Sequence, residues 1–332
     1  MSVIIPTLNA AKTLQLCLES IRNQDYPKEK LEIIIVDGGS TDSTVEIAKI
    51  YAVDKIISNP LRTGEAGKAA GLKVAVNDLI ALIDSDNILE GQDWLNKMTA
   101  PFVDEEIAGT EPLYFTYRRG DGYITRYCAL LGMNDPLCLF LANYDRYSLV
   151  TGRWTGLNVE EEDRGSYLKI RLREDQIPTM GANGFLVRRE LLQDCHVGDY
   201  FFDIDVVYEL VKRGHVNFAK VKLGVVHLFA PSLSTFIRKQ RRRIRDYRHY
   251  KRLNLRVYPW AAVSKIKLVK FIAYTTLLVP LIAQILKGSR RMRDWAWLFH
   301  IPACWITLIT YASEFVLGGF KATPEDRSKW QG

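Results

Sequence analysis

Short apolar runs alternate with amphipathic stretches through the first ninety residues. Ser2–Pro6 predicts a strand that stops at Pro6. Leu14, Cys17, Leu18 and Ile21 then recur at helical spacing. Leu31–Val36 (LEIIIV) is a β-branched run of the kind buried on both faces of a parallel sheet. The turn Asp37–Asp42 (DGGSTD) leads into a helix predicted over Asp42–Tyr51, with Ser40 or Thr41 as its cap. Asp54–Ile57 predicts another short strand. Gly64–Gly71 predicts a glycine-bearing loop that opens a helix through Val76, and Leu79–Ile83 a buried strand ending at Asp84-Ser85-Asp86. This βαβαβαβ order predicts an open, mostly parallel sheet with helices on both faces.

The pattern is less regular after residue 100. Ile124–Tyr144 is apolar and aromatic with a break at Asn134-Asp135-Pro136, and predicts a helical hairpin packed on the sheet. The acidic run Glu160–Asp163 predicts a solvated loop. Gly181-Ala182-Asn183-Gly184 precedes a strand at Phe185–Val187. Phe201–Asp205 precedes a helix at Val206–Arg213, and Lys220–Leu228 predicts a strand. Nine Lys and Arg residues then crowd positions 238–252. Two apolar runs follow, Leu268–Leu286 and Trp295–Leu317. About 20 apolar residues suffice to cross a bilayer, and Trp and Tyr favour its interfaces. Two spans are expected, since no remaining stretch of sequence is left to cover a pair of buried helices. The connecting loop, however, carries Lys287, Arg290, Arg291 and Arg293. Placed on the far side, it opposes the positive-inside tendency. A re-entrant hairpin is the alternative.

Composition narrows the class. With 332 residues, 48% hydrophobic, 25% charged and a net charge of +7, the chain is not a disordered, collagen-like or disulfide-knit protein. A mean hydropathy of -0.07 excludes a polytopic membrane protein. The five cysteines are scattered without a CxxC pair, which points to reduced cytosolic thiols. The N-terminus shows no basic, then apolar, leader, so no signal peptide is expected. The expected organisation is a catalytic domain over 1–235, a basic juxtamembrane segment over 236–262, a membrane helical hairpin over 263–320 and a tail over 321–332. The catalytic domain is expected on the cytoplasmic side of the cell membrane.

Ligands of open α/β sheets bind beyond the carboxyl ends of the strands. Polar residues gather there at Thr7/Asn9, Asp37 and Asp84/Asp86. Asp84 and Asp86 project to one side of an extended tripeptide, around Ser85, and suit one Mg²⁺ or Mn²⁺ that keeps waters and substrate phosphates. His227, after a later strand, is a candidate third ligand. Asp37 suits a nucleotide base or ribose, and Lys68 a phosphate or base.

Four segments, VIIPTLNAAKTLQLCLESI, IIIVDGGSTDSTVEIA, GEAGKAAGLKVA and LIALIDSDN, resemble the family 2 glycosyltransferases of the GT-A fold, strongly over about 1–100. The resemblance continues through GANGFLVRRELL and FFDIDVVYELVKRG to about 245. It implies a GT-A open mixed sheet, a nucleotide-diphospho-sugar donor, Mg²⁺ or Mn²⁺, and inversion at the anomeric carbon. By the same resemblance Pro6, Thr7, Asn9 and Asp37 hold the nucleotide; Lys68, Asp84 and Ser85 are further donor-side candidates. Asp84 and Asp86 hold the metal, and an Asp before a helix is the base. Ile204 stands where a Glu is expected. Alignment to the following helix selects Asp205, with Asp203 as competitor. Gly181, Asn183 and Gly184 are expected to shape the acceptor side. Gln240–Arg243 resembles a Q-x-x-R-W segment without its Trp, and Arg241, Arg242 and Arg243 are candidates for the leaving diphosphate.

The expected function is therefore a hexosyltransferase acting on a lipid-linked acceptor or cell-surface polysaccharide, in contact with membrane lipids. A nucleotide-sugar-forming nucleotidyltransferase and an inactive donor-binding scaffold are the alternatives. Nucleic acid is not expected as a partner, because the basic run adjoins apolar segments and no recognition module is present.

Overall fold

The computed structural model describes residues 1–259 and 265–316. The expected tail over 321–332 and the junctions 260–264 and 317–320 lie outside these residues. In chain order the elements are β1 (Ser2–Thr7), α1 (Ala11–Arg22), β2 (Glu32–Asp37), α2 (Thr44–Ile50), β3 (Lys55–Ser58), α3 (Gly64–Val74), β4 (Leu79–Leu82), β5 (Asn87–Leu89), α4 (Trp94–Thr99), β6 (Ile107–Phe115), α5 (Tyr123–Leu131) and α6 (Leu137–Leu141). Then come β7 (Glu160–Asp163), β8 (Tyr167–Arg171), β9 (Phe185–Arg188), α7 (Asp203–Lys212), β10 (Asn217–His227), α8 (Leu233–Arg252), α9 (Lys265–Leu277), α10 (Val279–Arg291) and α11 (His300–Val316). They form two compact units. Among the described residues the first comprises Met1–Leu113 and Asn158–His227; the second comprises Tyr114–Leu157 and the described chain from Leu228 to Val316. The segment 114–157 thus groups with the C-terminal helices, whereas the sequence places it in a domain running to 235.

The first unit is built on a mixed sheet in the order β3-β2-β1-β4-β9-β6-β10-β8-β7. The pairs β3–β2, β2–β1 and β1–β4 are parallel, and β4–β9 begins an antiparallel half. Residues Ile33–Val36 are fully buried, as a strand covered on both faces requires. Leu14, Cys17, Leu18 and Ile21 form the buried stripe of α1. Asp42 serves two helix starts at once: its carboxylate accepts from Ala11 N at 3.1 Å and from Thr44 N at 3.0 Å. The expected caps of α2, Ser40 and Thr41, instead tie the preceding loop to Asp37 and Asn9.

Two local expectations change. Gly64–Gly71 is helix rather than loop, capped by Thr63, whose hydroxyl accepts from Ala66 N at 3.0 Å. Its glycines let α3 lie close on β1. A Cβ at Gly67 would fall 2.8 Å from Pro6 Cβ, and one at Gly71 2.4 Å from Ile4 Cγ2. The acidic run at 160–163 is the edge strand β7. It pairs antiparallel with β8, setting Glu160 opposite Arg171 and Glu162 opposite Lys169. Cross-strand opposite charges favour that pairing, and a charged edge resists further strand addition.

The second unit is helical. Ile124, Tyr127 and Leu131 of α5 pack with Phe236 of α8 and with Trp297, Phe299 and Ala303 around the start of α11. Phe140 of α6 packs with Phe271, Leu281 and Cys304. The 124–144 hairpin therefore covers part of the C-terminal apolar helices, a covering the linear pattern does not reveal. The expected first span is also not one straight helix. α9 and α10 meet at a 90° bend, where Leu278 adopts a φ of 62° and Pro280 opens the next helix. Trp295–Val316, 22 residues, is long and apolar enough to cross a membrane, and 44% of its apolar window is buried within the protein.

Candidate active site

The carboxyl ends of β1, β2 and β4 carry the polar residues that the sequence singles out. Asp37, at the end of β2, is buried and its four acceptor positions are all engaged. Oδ1 accepts from Thr7 Oγ1 at 3.0 Å and Ser40 Oγ at 2.6 Å; Oδ2 accepts from Gly39 N at 2.9 Å and Ser40 N at 2.8 Å. Asn9, in the left-handed region at φ 50°, accepts from Thr41 N at 2.8 Å. Thr7, Asn9 and Asp37 thus act together to shape the 38–41 loop, while Pro6 packs on Gly67.

Lys68 is the hub. Closely seated α3 sends it inward, where only 6% of the side chain is exposed. Its Nζ lies 2.8 Å from Asp203 Oδ1 and 3.9 Å from Asp84 Oδ1. Burial alone disfavours the ammonium, but the charges of Asp203 and Asp84 outweigh it, so its pKa is raised. Burial pushes the Asp203 carboxyl up to about 7 against the pull of Lys68. Asp203 is the first residue of α7, and the chain before that helix is tied to α3 by Phe201 N donating to Glu65 O at 2.9 Å. Asp205, two residues on, is 4% exposed.

Asp84 and Asp86 flank the half-buried Ser85 just past β4. Asn87 holds this turn: its Oδ1 accepts from Asp84 N at 3.0 Å and its Nδ2 donates to Asn183 Oδ1 at 3.1 Å. Asn87 on β5 pairs with His227 on β10, and His227 Nε2 lies 3.4 Å from Asp86 Oδ1. Among the described residues no three His, Cys, Asp or Glu side chains are clustered as a complete metal cage. The Asp86 carboxylate and His227 imidazole still fit a divalent ion whose other ligands are waters and diphosphate oxygens. Mn²⁺ accepts that nitrogen–oxygen pair readily. Asp84 is shared with Lys68.

The 181–184 loop reaches the same place. Gly181 (φ 113°) lies against Asp203, where a Cβ would meet the Asp203 carbonyl carbon at 2.9 Å. Gly184 (φ 92°) donates its N–H to Leu82 O at 2.9 Å. Gly181 N in turn donates to Glu111 Oε1 at 2.9 Å, and Glu111 Oε2 pairs with Lys220 Nζ at 2.7 Å, both side chains fully buried. The sequence reading misses Glu111, Lys220 and Asn87. A charged residue inside each of two apolar strands was the available signal for the first two, and the Asn directly after Asp-Ser-Asp for the third.

The three arginines do not act as one cluster. Consecutive helix residues point about 100° apart. On α8, Arg243 donates to Asn134 O at 3.2 Å and Gln240 Oε1 at 2.9 Å, and Arg241 lies 3.7 Å from Glu314.

The mixed sheet is that of the GT-A class. A mannosyltransferase from Pyrobaculum calidifontis, solved with GDP-Man and Mn²⁺, shares the fold with a TM-score of 0.53 and 16% identity, over 96% of this chain and 87% of its own. The family model described as glycosyl transferase family 2 matches residues 2–195, and the chain belongs to that family. Glycosyltransferase AglE of Haloferax volcanii is 31% identical over 139 residues, 40% of this chain and 45% of that protein. The dolichyl N-acetyl-alpha-D-glucosaminyl phosphate 3-beta-D-2,3-diacetamido-2,3-dideoxy-beta-D-glucuronosyltransferase of Methanococcus voltae is 55% identical over 100 residues, 28% of this chain and 31% of that protein. The match thus spans less than half the length of either relative. Asp203 lies beyond the segment that the family model covers.

Proposed function

We propose that this chain is an inverting hexosyltransferase that moves a sugar from a nucleotide diphosphate to a hydroxyl of a lipid-linked acceptor, with Asp203 rather than Asp205 as the base. The observation that carries this reading is the Lys68–Asp203–Asp84 cluster at the strand ends. It sets a carboxylate of raised pKa beside the donor side of the sheet. Asp203 takes the acceptor proton as the oxygen attacks C1, a contribution typically worth about 10²–10⁴-fold. Lys68 holds that carboxylate in place and offsets its charge against Asp84. The 38–41 loop, shaped by Thr7, Asn9 and Asp37, receives the nucleotide. Gly181 packs against Asp203, and we place the acceptor side along this 181–184 loop, with Asn183 and Gly184. Asp86 and His227, with Asp84 nearby, would hold Mg²⁺ or Mn²⁺, which when bound neutralises charge on the leaving diphosphate.

The acceptor class is supported by the activity for which the Methanococcus voltae relative is named and by the second unit. That unit exposes Ile266, Val269, Leu277, Val279, Leu286, Trp295 and Leu298, more apolar surface than a freely soluble domain tolerates. We read it as docking on the cytoplasmic face of a membrane. At about 1.5 Å per residue, α9 and α10 are each roughly 20 Å long, too short to cross about 30 Å of hydrocarbon. Their 90° bend suits a re-entrant or interfacial element, and the basic loop at 287–294 then returns to the side it left. Transfer from radiolabelled nucleotide sugars to a membrane lipid extract, with and without EDTA, tests the function. Unchanged transfer in EDTA contradicts the metal role of Asp86 and His227.

A further inference from the structure

Within the second unit, a cleft of about 540 Å³ lies between the end of α10 and the start of the segment leading into α11. It is lined by Arg119, Arg126, Ser289, Arg293, Asp294 and Trp295. Its charges are not equivalent. Asp294 is fully used: it pairs with Arg126 at 3.2 Å and accepts from the Tyr117 hydroxyl and from Ala296 N at 2.6 Å. Arg126 is further fixed by donating to Asp121 O at 3.0 Å and Arg119 O at 3.3 Å. Arg119 and Arg293 are both exposed, and neither has an acidic partner among the described residues. Three guanidiniums against one carboxylate leave the cleft at +2. Two forks that line the cleft without a carboxylate partner of their own match the oxygens of a phosphate, which takes bidentate guanidinium bonds.

The rim says where that phosphate comes from. Trp295, which lines the cleft, is 83% exposed; Leu298 and Leu286, each three residues from the lining residues Trp295 and Ser289 along their helices, are 59% and 54% exposed. Exposed Trp and Leu around a cationic hollow suit the level of a bilayer where headgroup meets acyl chain. A soluble anion has no use for such a rim. We propose that the Arg119/Arg126/Arg293 cleft binds the phosphate of an anionic lipid headgroup and so anchors the second unit at the membrane surface. The inference rests on the membrane-docking reading of that unit and is independent of the role given to Asp203. It also accounts for the basic loop that a two-span reading leaves on the wrong side.

The test is flotation of the full chain with vesicles of phosphatidylcholine alone or with phosphatidylglycerol at 30 mol% as an order-of-magnitude anionic content. Wild type is expected to partition onto the anionic vesicles at least about tenfold more strongly. Arg119→Gln with Arg293→Gln should reduce that preference to about twofold or less, with thermal unfolding and donor binding unchanged. A charge-matched control, Lys28→Gln with Lys49→Gln on the first unit, should keep it. Equal losses in both double variants would reduce the effect to net charge and overturn the proposal. Release of wild type by millimolar glycerol 1-phosphate would overturn it too, showing that a soluble phosphate suffices. No preference for anionic vesicles overturns the cleft alone. No binding to any vesicle overturns the docking reading with it, while leaving Asp203 untouched.

Discussion

The two units handle buried polar groups in opposite ways. In the first, charge is pooled: Lys68 serves two carboxylates, Asp203 and Asp84, and Glu111 serves both Lys220 and the Gly181 amide. In the second, polar groups are distributed along helices and matched locally. Tyr127 bonds His300, which bonds Gln284; Tyr311 bonds Asp135; Arg245 pairs with Glu314 at 2.9 Å. Pooled charge raises the proton affinity of Lys68 and of Asp203, as a reacting site needs. In the second unit these groups are matched mostly in pairs, while Ile266, Val269, Trp295 and Leu298 stay exposed, as a docking element needs.

The sharpest way to break this contrast is to remove the pooled carboxylate. Asp203→Asn should lower turnover by about 10²–10⁴-fold with donor affinity nearly kept, read from steady-state transfer beside donor titration. Next is the buried pair. Glu111→Ala strands Lys220 without a counter-charge and should cost about 3–5 kcal/mol, measured by denaturant unfolding. Replacing both partners, Glu111→Leu with Lys220→Met, should recover much of that loss. If the recovered protein also regains full turnover, the pair is not needed to hold Gly181 against Asp203. A smaller effect is expected at a singly matched group of the first unit: Thr63→Ala, which removes the cap of α3, should cost about 1 kcal/mol.

The pH dependence distinguishes the units without mutation. With its carboxyl raised from 3.8 to about 7, Asp203 in the native state holds a proton that the unfolded chain has already lost across that interval. Its contribution to stability therefore falls as pH rises from about 4 to 7, while the ionised base, and so turnover, grows over the upper part of the same window. Stability and rate should move in opposite directions there, read from unfolding midpoints and kcat in the same buffers.

Much of the first unit is legible in the sequence because its signals are local. LEIIIV and LIALI mark buried strands, and DSD and GANG mark their ends. The distinction between Asp203 and Asp205 is not local. It depends on Lys68, 135 positions earlier, being carried inward by a helix whose glycines looked like loop. Those glycines oppose helix by propensity and are kept for close packing on Ile4 and Pro6, so tertiary contact overrides the local preference. The partnership of 124–144 with the C-terminal helices is equally invisible, since two apolar stretches far apart do not announce each other. The break at Leu278 lies inside an apolar run, where hydropathy cannot distinguish one long helix from two short ones.

Whether Asp203 is the base is read from kcat of Asp203→Asn and Asp205→Asn measured in parallel, each with donor affinity determined. Asp203→Asn should lose at least about 10²-fold with donor binding retained, and Asp205→Asn much less. Near-normal turnover in Asp203→Asn, with the large loss at Asp205→Asn, would contradict it.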